Sequence, residues 1–340
     1  MDLSTSYLGF ELKNPLIASA SPLTSSPESI KKLEDNGIAA VVLHSLFEEQ
    51  INHELQQLDH FLFSHNESYA EAIDYLPHEV DFENLQADHY LKEIEEIKRS
   101  IDIPVIASLN GVSSGGWVKY ASKLQEAGAD ALELHISYIP TDIDMDSATV
   151  EKMYVDTVSL VKEHISIPLT VKMNRYFSNP ANMAKRFVES GVSGLTLFDN
   201  PVTVDIDLMT LSSVQKAQIT TSRQLSESLR WCGILYRKLP CSLCAGTGVH
   251  TGADVLKAVI SGADAVSLAS VLLMKGEKEV QEILHFIRHW MEENEYQSIS
   301  QMKGSVSLEH TDNPSAYERS SYMSALQNFD RDSDLPRRFL

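Results

Sequence analysis

Basic residues are scarce in this chain of 340 residues: 28 Lys and Arg stand against 48 Asp and Glu, a formal net charge of −20. Such a surface repels phosphate backbones and anionic membrane faces, so nucleic acid and lipid surfaces are excluded as main partners. One local anion pocket stays compatible with that charge. Cysteine is rarer still. Cys232, Cys241 and Cys244 are too few for a disulfide scaffold and suit a reducing compartment. Cys241 and Cys244 form a CxxC, but they lie in an apolar run after Pro240 that reads as buried strand, and no second CxxC completes a zinc site. No apolar run reaches bilayer-spanning length. Residues 1–5 lack the basic start and apolar core of a secretory leader. A cytoplasmic protein acting on a small molecule is the expectation.

What is present is repetition. Gly37, Gly128, Gly191 and Gly262 each follow a helical pattern and precede a short apolar run. Glycine in that place supplies a left-handed helix stop, and the run after it is a strand. Runs of a second kind begin at Pro15, Pro104, Pro168 and Pro240, where a missing N–H is tolerated at a strand start. The two kinds alternate and give eight strands, at 15–20, 39–45, 104–110, 131–137, 168–174, 194–200, 241–247 and 265–271. Helical patterns fill most gaps, as at 117–127, 182–190 and 254–261. Strands this continuously apolar are covered on both faces, hence parallel, and eight βα units close into a (β/α)8 TIM barrel. An open doubly wound sheet is the competing arrangement. The barrel domain is assigned to residues 1–295. Long loops follow strand two (46–88) and strand six (201–224), and a C-terminal extension (296–340) packs on the barrel or on a partner.

Chemistry in a barrel sits at the carboxyl ends of the strands. In order these ends are Ser19-Ala20, His44-Ser45, Asn110, His135-Ser137-Tyr138, Lys172-Asn174, Asp199-Asn200, Gly246-Thr247-Gly248 and Ala269-Ser270. A ring this polar at the ends of apolar strands marks a binding site. Lys172, between apolar neighbours, must find an anion because burying it unpaired is costly. That anion is either a ligand in the mouth or a carboxylate of the chain, Glu133 or Asp199. The Gly246-Thr247-Gly248 turn precedes a helix and can present backbone N–H groups to a phosphate, at the usual phosphate site of this fold.

Several stretches, in shared order along nearly the whole chain, carry a resemblance. They are Lys13 to Ile17, Val42 to Gln50, Ala129 to Leu134, Val171-Lys172, Gly246 to Gly252, and in the tail Tyr296 to Ile299 and Ala316 to Arg319. In these the sequence resembles the dihydroorotate dehydrogenase family, and most of all its members of uncertain substrate. The resemblance implies flavin mononucleotide (FMN) in the barrel mouth. Its phosphate would lie at Gly246, Thr247, Gly248, Ala269 and Ser270, with Ser19, Ala20, His44, Ser45 and Asn110 along ring and ribityl chain. Lys172 would stand beside the pyrimidine edge and Asn200 near the substrate. Departures are also legible. Where family enzymes that oxidise dihydroorotate carry a Cys or Ser base after strand four, this chain reads His135-Ile-Ser-Tyr138-Ile-Pro140, and a tyrosine of ordinary pKa, about 10, is a poor base. The expectation is an FMN-dependent oxidoreductase acting on a CH–CH bond, with Lys172, Tyr138 and His135 as catalytic candidates. Its substrate is not securely dihydroorotate. Homodimers are common in the resembling family. Two other readings stay open: an inactive barrel that binds a nucleotide-like ligand or a partner, and a metal-dependent hydrolase using His44, His135 and Lys172.

Overall fold

The computed structural model describes residues 1–51, 86–112, 118–200, 202–216, 218–319 and 323. Eight strands close into a barrel in which every neighbouring pair is parallel. They are β1 (Leu16–Ala18), β2 (Ala40–Phe47), β3 (Val105–Asn110), β4 (Ala131–His135), β5 (Leu169–Met173), β6 (Gly194–Leu197), β7 (Ser242–Ala245) and β8 (Ala265–Leu268). Seven fall inside the runs read from the sequence. The exception, β2, continues to Phe47 because its pairing with β3 slips between Val42 and Ser45, an extra residue that bends the strand.

Helices follow the strands: α1 (Pro27–Asp35), α2 (Gln86–Ser100), α3 (Lys119–Glu126), α4 (Ser147–Glu163), α5 (Pro180–Glu189), α6 (Leu225–Leu235), α7 (Gly252–Ser261) and α8 (Glu279–Glu293). Local signals account for their starts. Ser26, Asp146, Asn179 and Thr251 accept from backbone N–H groups at the heads of α1, α4, α5 and α7. The four repeat glycines have φ of +111°, +102°, +91° and +129°, the left-handed stops that the repeat pattern requires.

The main core lies between strands and helices, and a second cluster fills the barrel's amino end. There a short hairpin (Thr5–Tyr7 with Phe10–Leu12) inserts Tyr7, Leu8 and Leu12 among Ile17, Val42, Ile106, Ala131 and Cys244. Leu8 N donates to Ser242 Oγ at 3.0 Å. Cys244 therefore belongs to the barrel floor, and burial pushes all three thiols up, Cys241 to about 12. Residues 296–319 pack back on α6 and α7, with Gly304 N on Val259 O and Leu308 N on Gly233 O, both at 3.0 Å. A Cβ at Gly233 would stand 2.3 Å from the Tyr317 ring, so this helix position must be glycine. The loop after β6 holds a hairpin (Thr203–Asp207 with Ser212–Lys216). Most of the 46–88 loop lies outside the described residues. No helix among the described residues is long and apolar enough to cross a membrane.

Candidate active site

Pairing between strands lines up two rows of residues. Asn110, His135, Lys172 and Thr196 share one row across β3 to β6, and Ser108, Glu133, Thr170 and Gly194 share the row beneath. Their neighbours Leu109, Leu134, Val171 and Leu195 face the helices, so alternation along each strand turns the polar rows inward.

Lys172 Nζ lies 2.7 Å from Glu133 Oε1, and Thr196 Oγ1 donates to Glu133 Oε2 at 3.0 Å. Glu133 is only 2% exposed, so the carboxylate requires this cation. Of the anions considered for Lys172, the chain supplies Glu133. Its side chain keeps 14% of its surface and still borders the mouth.

In the same row as Lys172, the imidazole of His135 is held from both sides. Nε2 lies 3.3 Å from Asp199 Oδ2 and Nδ1 lies 3.2 Å from Asn110 Nδ2. Asp199 is 5% exposed, and its Oδ1 has no hydrogen-bond partner among the described residues. The backbone beneath it is fixed: Asp199 N donates to Met173 O at 3.0 Å, and its carbonyl accepts from Arg175 Nη2 at 2.8 Å and Thr247 Oγ1 at 3.3 Å. Arg175 in turn pairs with Glu227 of α6 at 3.0 Å.

The other expected residues divide. Ser45 Oγ meets Ser108 Oγ at 2.8 Å across β2 and β3. Ser19 is buried, its N–H on Leu268 O at 2.8 Å, and Ala20 packs beside the inner cluster. His44 sits in the β2 bulge, edge-on to Tyr90 with ring centroids 4.8 Å apart and 3.6 Å from Glu93, so its ring engages α2. The Tyr90 hydroxyl fills the bulge, donating to His44 O at 2.7 Å and accepting from Ser108 N at 3.3 Å. The Asn200 amide donates to Gln218 O at 2.6 Å and ties down the loop after β6. The Tyr138 hydroxyl turns to Met145 Sδ at 3.6 Å while its backbone meets the Tyr154 hydroxyl. Burial pushes Tyr154 up to about 12. His44 and His135 thus engage different partners, which removes the geometry of the hydrolase reading. Among the described residues no group of three His, Cys, Asp or Glu could hold a metal ion.

The glycine turn differs from an open cradle. A Cβ at Gly246 would stand 2.6 Å from Phe198 O, and one at Gly248 would stand 2.3 Å from Leu225 N. Thr247 is buried and donates to Phe198 O at 2.6 Å. Side-chain space is therefore taken by β6 and α6, and the turn keeps only its backbone donors. The amides of Gly248, Val249 and Ser270 have no partner among the described residues. Ser270 Oγ accepts from Thr220 N and Oγ1, each at 3.0 Å, and Thr220 Oγ1 meets His250 Nε2 at 3.1 Å. Burial lowers the pKa of His250, keeping the ring neutral in this contact. The chemistry of this donor set, three amides and an ammonium bordering the mouth, fits a phosphorylated, electron-rich cofactor.

Arg175, Thr220 and His250 were not among the expected residues. Glu133 and Asp199 were named as the carboxylates open to Lys172, and Asp199 also as one of the polar strand ends. Thr220 and His250 carried no such signal, since only the fold brings them to Ser270.

The sequence profile of the family described as "Dihydroorotate dehydrogenase" matches residues 74–291. The chain is 25% identical over 309 residues to a dihydroorotate dehydrogenase B (NAD(+)) catalytic subunit of Thermoplasma acidophilum, covering 89% of this chain and 98% of that protein. The corresponding subunit of Methanocaldococcus jannaschii is 23% identical over 302 residues, 84% of this chain and 94% of that protein. The NAD-dependent dihydropyrimidine dehydrogenase subunit PreA of Escherichia coli is 22% identical over 334 residues, 89% of this chain and 76% of that protein. With more than half of its length matched by the profile, the chain belongs to the dihydroorotate dehydrogenase family.

Proposed function

We propose that the chain is an FMN-dependent dehydrogenase that forms a C=C bond in a small dihydropyrimidine-like ring. The observation that carries this reading is Lys172, a cation held in the polar row at the barrel mouth by a buried carboxylate. Hydride transfer to a flavin leaves negative charge on the pyrimidine edge, and a fixed ammonium in a site of low dielectric stabilises it. The amides of Gly248, Val249 and Ser270 would hold the phosphate, with Ser19, Ala20 and Ser45 along the ring and ribityl chain. The ring class follows the names of the relatives, two for dihydroorotate and one for dihydropyrimidine. The stretch from His135 to Pro140 favours a substrate other than dihydroorotate itself. A cytoplasmic homodimer is the setting that fits three free thiols and an exposed apolar hairpin tip at Leu208, Met209 and Leu211.

The test is anaerobic spectroscopy. The purified protein, titrated with FMN, is expected to bind it, and the flavin band is expected to bleach on adding dihydrouracil, dihydrothymine or dihydroorotate. A protein with no flavin spectrum in excess FMN refutes the proposal. A second reading, a barrel that binds its ligand without turnover, is favoured by one observation: the Tyr138 hydroxyl is engaged by Met145. It predicts bound flavin that stays oxidised with every donor.

A further inference from the structure

We infer that His135 is the proton acceptor of this site, held by Asp199 and oriented by Asn110. The inference rests on the dehydrogenase reading and deepens it. Forming the C=C bond removes a proton and a hydride from adjacent carbons. The hydride goes to oxidised flavin, and the proton requires a base at the mouth. Tyr138 does not serve, since its hydroxyl faces Met145. Among the strand-end side chains His135 has a basic atom of suitable kind, borders the mouth with 19% of its side chain accessible, and lies in register with Lys172.

Charge makes the assignment specific. Lys172 pairs with Glu133 and Arg175 with Glu227, so within this cluster Asp199 is the carboxylate without a Lys or Arg partner among the described residues. That carboxylate is buried with one oxygen unpartnered, an arrangement that gains when a positive charge arrives beside it. A proton taken up by His135 turns the contact at 3.3 Å into an ion pair. The carboxylate fixes the tautomer as well: it requires the N–H on Nε2, which makes Nδ1 the acceptor nitrogen, occupied at rest by the Asn110 amide. Asn110 serves both states, since its amide NH2 donates to neutral Nδ1 and, turned over, its carbonyl accepts from Nδ1–H. In the balanced step the Asn110 amide would turn aside from Nδ1, the substrate C–H bond would break towards that nitrogen, the adjacent C–H bond would give its hydride to a bound flavin, and the imidazolium would later release its proton to solvent. His135 is the catalytic residue; Asp199 and Asn110 are positioning residues.

Two measurements test this on the full-length protein. Long-range 1H–15N spectra of protein labelled with 15N-histidine, taken without substrate, are expected to show His135 as the Nε2–H tautomer. Asp199→Asn should convert it to a mixture. An Nδ1–H tautomer, or one that Asp199→Asn leaves unchanged, overturns the inference. In the second, rapid reduction of the flavin by the best dihydropyrimidine donor is compared between variants. His135→Asn should lower the limiting rate about 10²- to 10⁴-fold with flavin affinity unchanged. Asp199→Asn should lower it less and leave KM within about 3-fold, while Tyr138→Phe should keep the wild-type rate. Wild-type protein reduced by a donor together with an equally fast His135→Asn overturns this inference and leaves the dehydrogenase reading standing. Wild-type protein that no donor reduces overturns the dehydrogenase reading and the catalytic role with it.

Discussion

Replacing Lys172 by Met removes the ammonium from beneath the mouth while keeping most of the stem's volume. At 2.7 Å and an effective dielectric of about 20, the attraction lost is about 6 kcal/mol. The buried Glu133 has a cheaper response than staying charged and alone. Taking a proton at pH 7, against an ordinary Glu value of about 4.3, costs about 4 kcal/mol, and the loss stops there. At pH 5 the same route costs about 1 kcal/mol. The sign follows from proton counting: the folded variant holds a proton that the unfolded chain releases, so the variant falls further behind wild type as pH rises from 5 to 7. Urea denaturation of both proteins at the two pH values measures it. Glu133→Gln combined with Lys172→Met, which buries no charge, should recover most of the loss at pH 7. A deficit below about 1 kcal/mol at pH 7, a deficit equal at both pH values, or a double variant no better than the single one would refute the reasoning.

Gly248→Ala places a side chain at φ +83° with its Cβ 2.3 Å from Leu225 N, and thermal denaturation should show a loss of about 2–4 kcal/mol. Thr247→Val keeps the shape but removes the donor to Phe198 O and Asp199 O; the same assay should show about 1–3 kcal/mol. The three thiols, held protonated by burial, contribute stability that is complete below about pH 8.5 and declines above it. The slope should be about 1.4 kcal/mol per pH unit for each thiol, read from denaturation between pH 8 and 10.5. His250 is held neutral by burial, so its contribution is present above about pH 6.5 and is lost as pH falls through its lowered folded value. Limited proteolysis should then cut the 203–216 hairpin faster at pH 5 than at pH 7.5, and Thr220→Val should abolish that difference.

The barrel was legible because its signals are local and repeated. A glycine stop, a short apolar run and a proline-led run each depend on a few consecutive residues, and their alternation eight times leaves little freedom of topology. The amino-terminal hairpin was not legible: Tyr7, Leu8 and Leu12 span too few residues to show a period, and only the open end of the barrel explains their burial. The site was legible as a list of strand ends and not as a constellation. Nothing local separates Asn110, which faces its neighbour His135, from Asn200, which ties down a loop. His44 and His135 stand at equivalent points of two repeats, yet a one-residue bulge in β2 sends the first towards α2. The chain alone thus determined the fold and the rim where polar side chains collect, because both follow from hydrophobic period and from where strands stop. Which of those side chains touch was decided by register between strands distant in sequence. The partners of Glu133 and Asp199 exist only once the sheet has closed on itself.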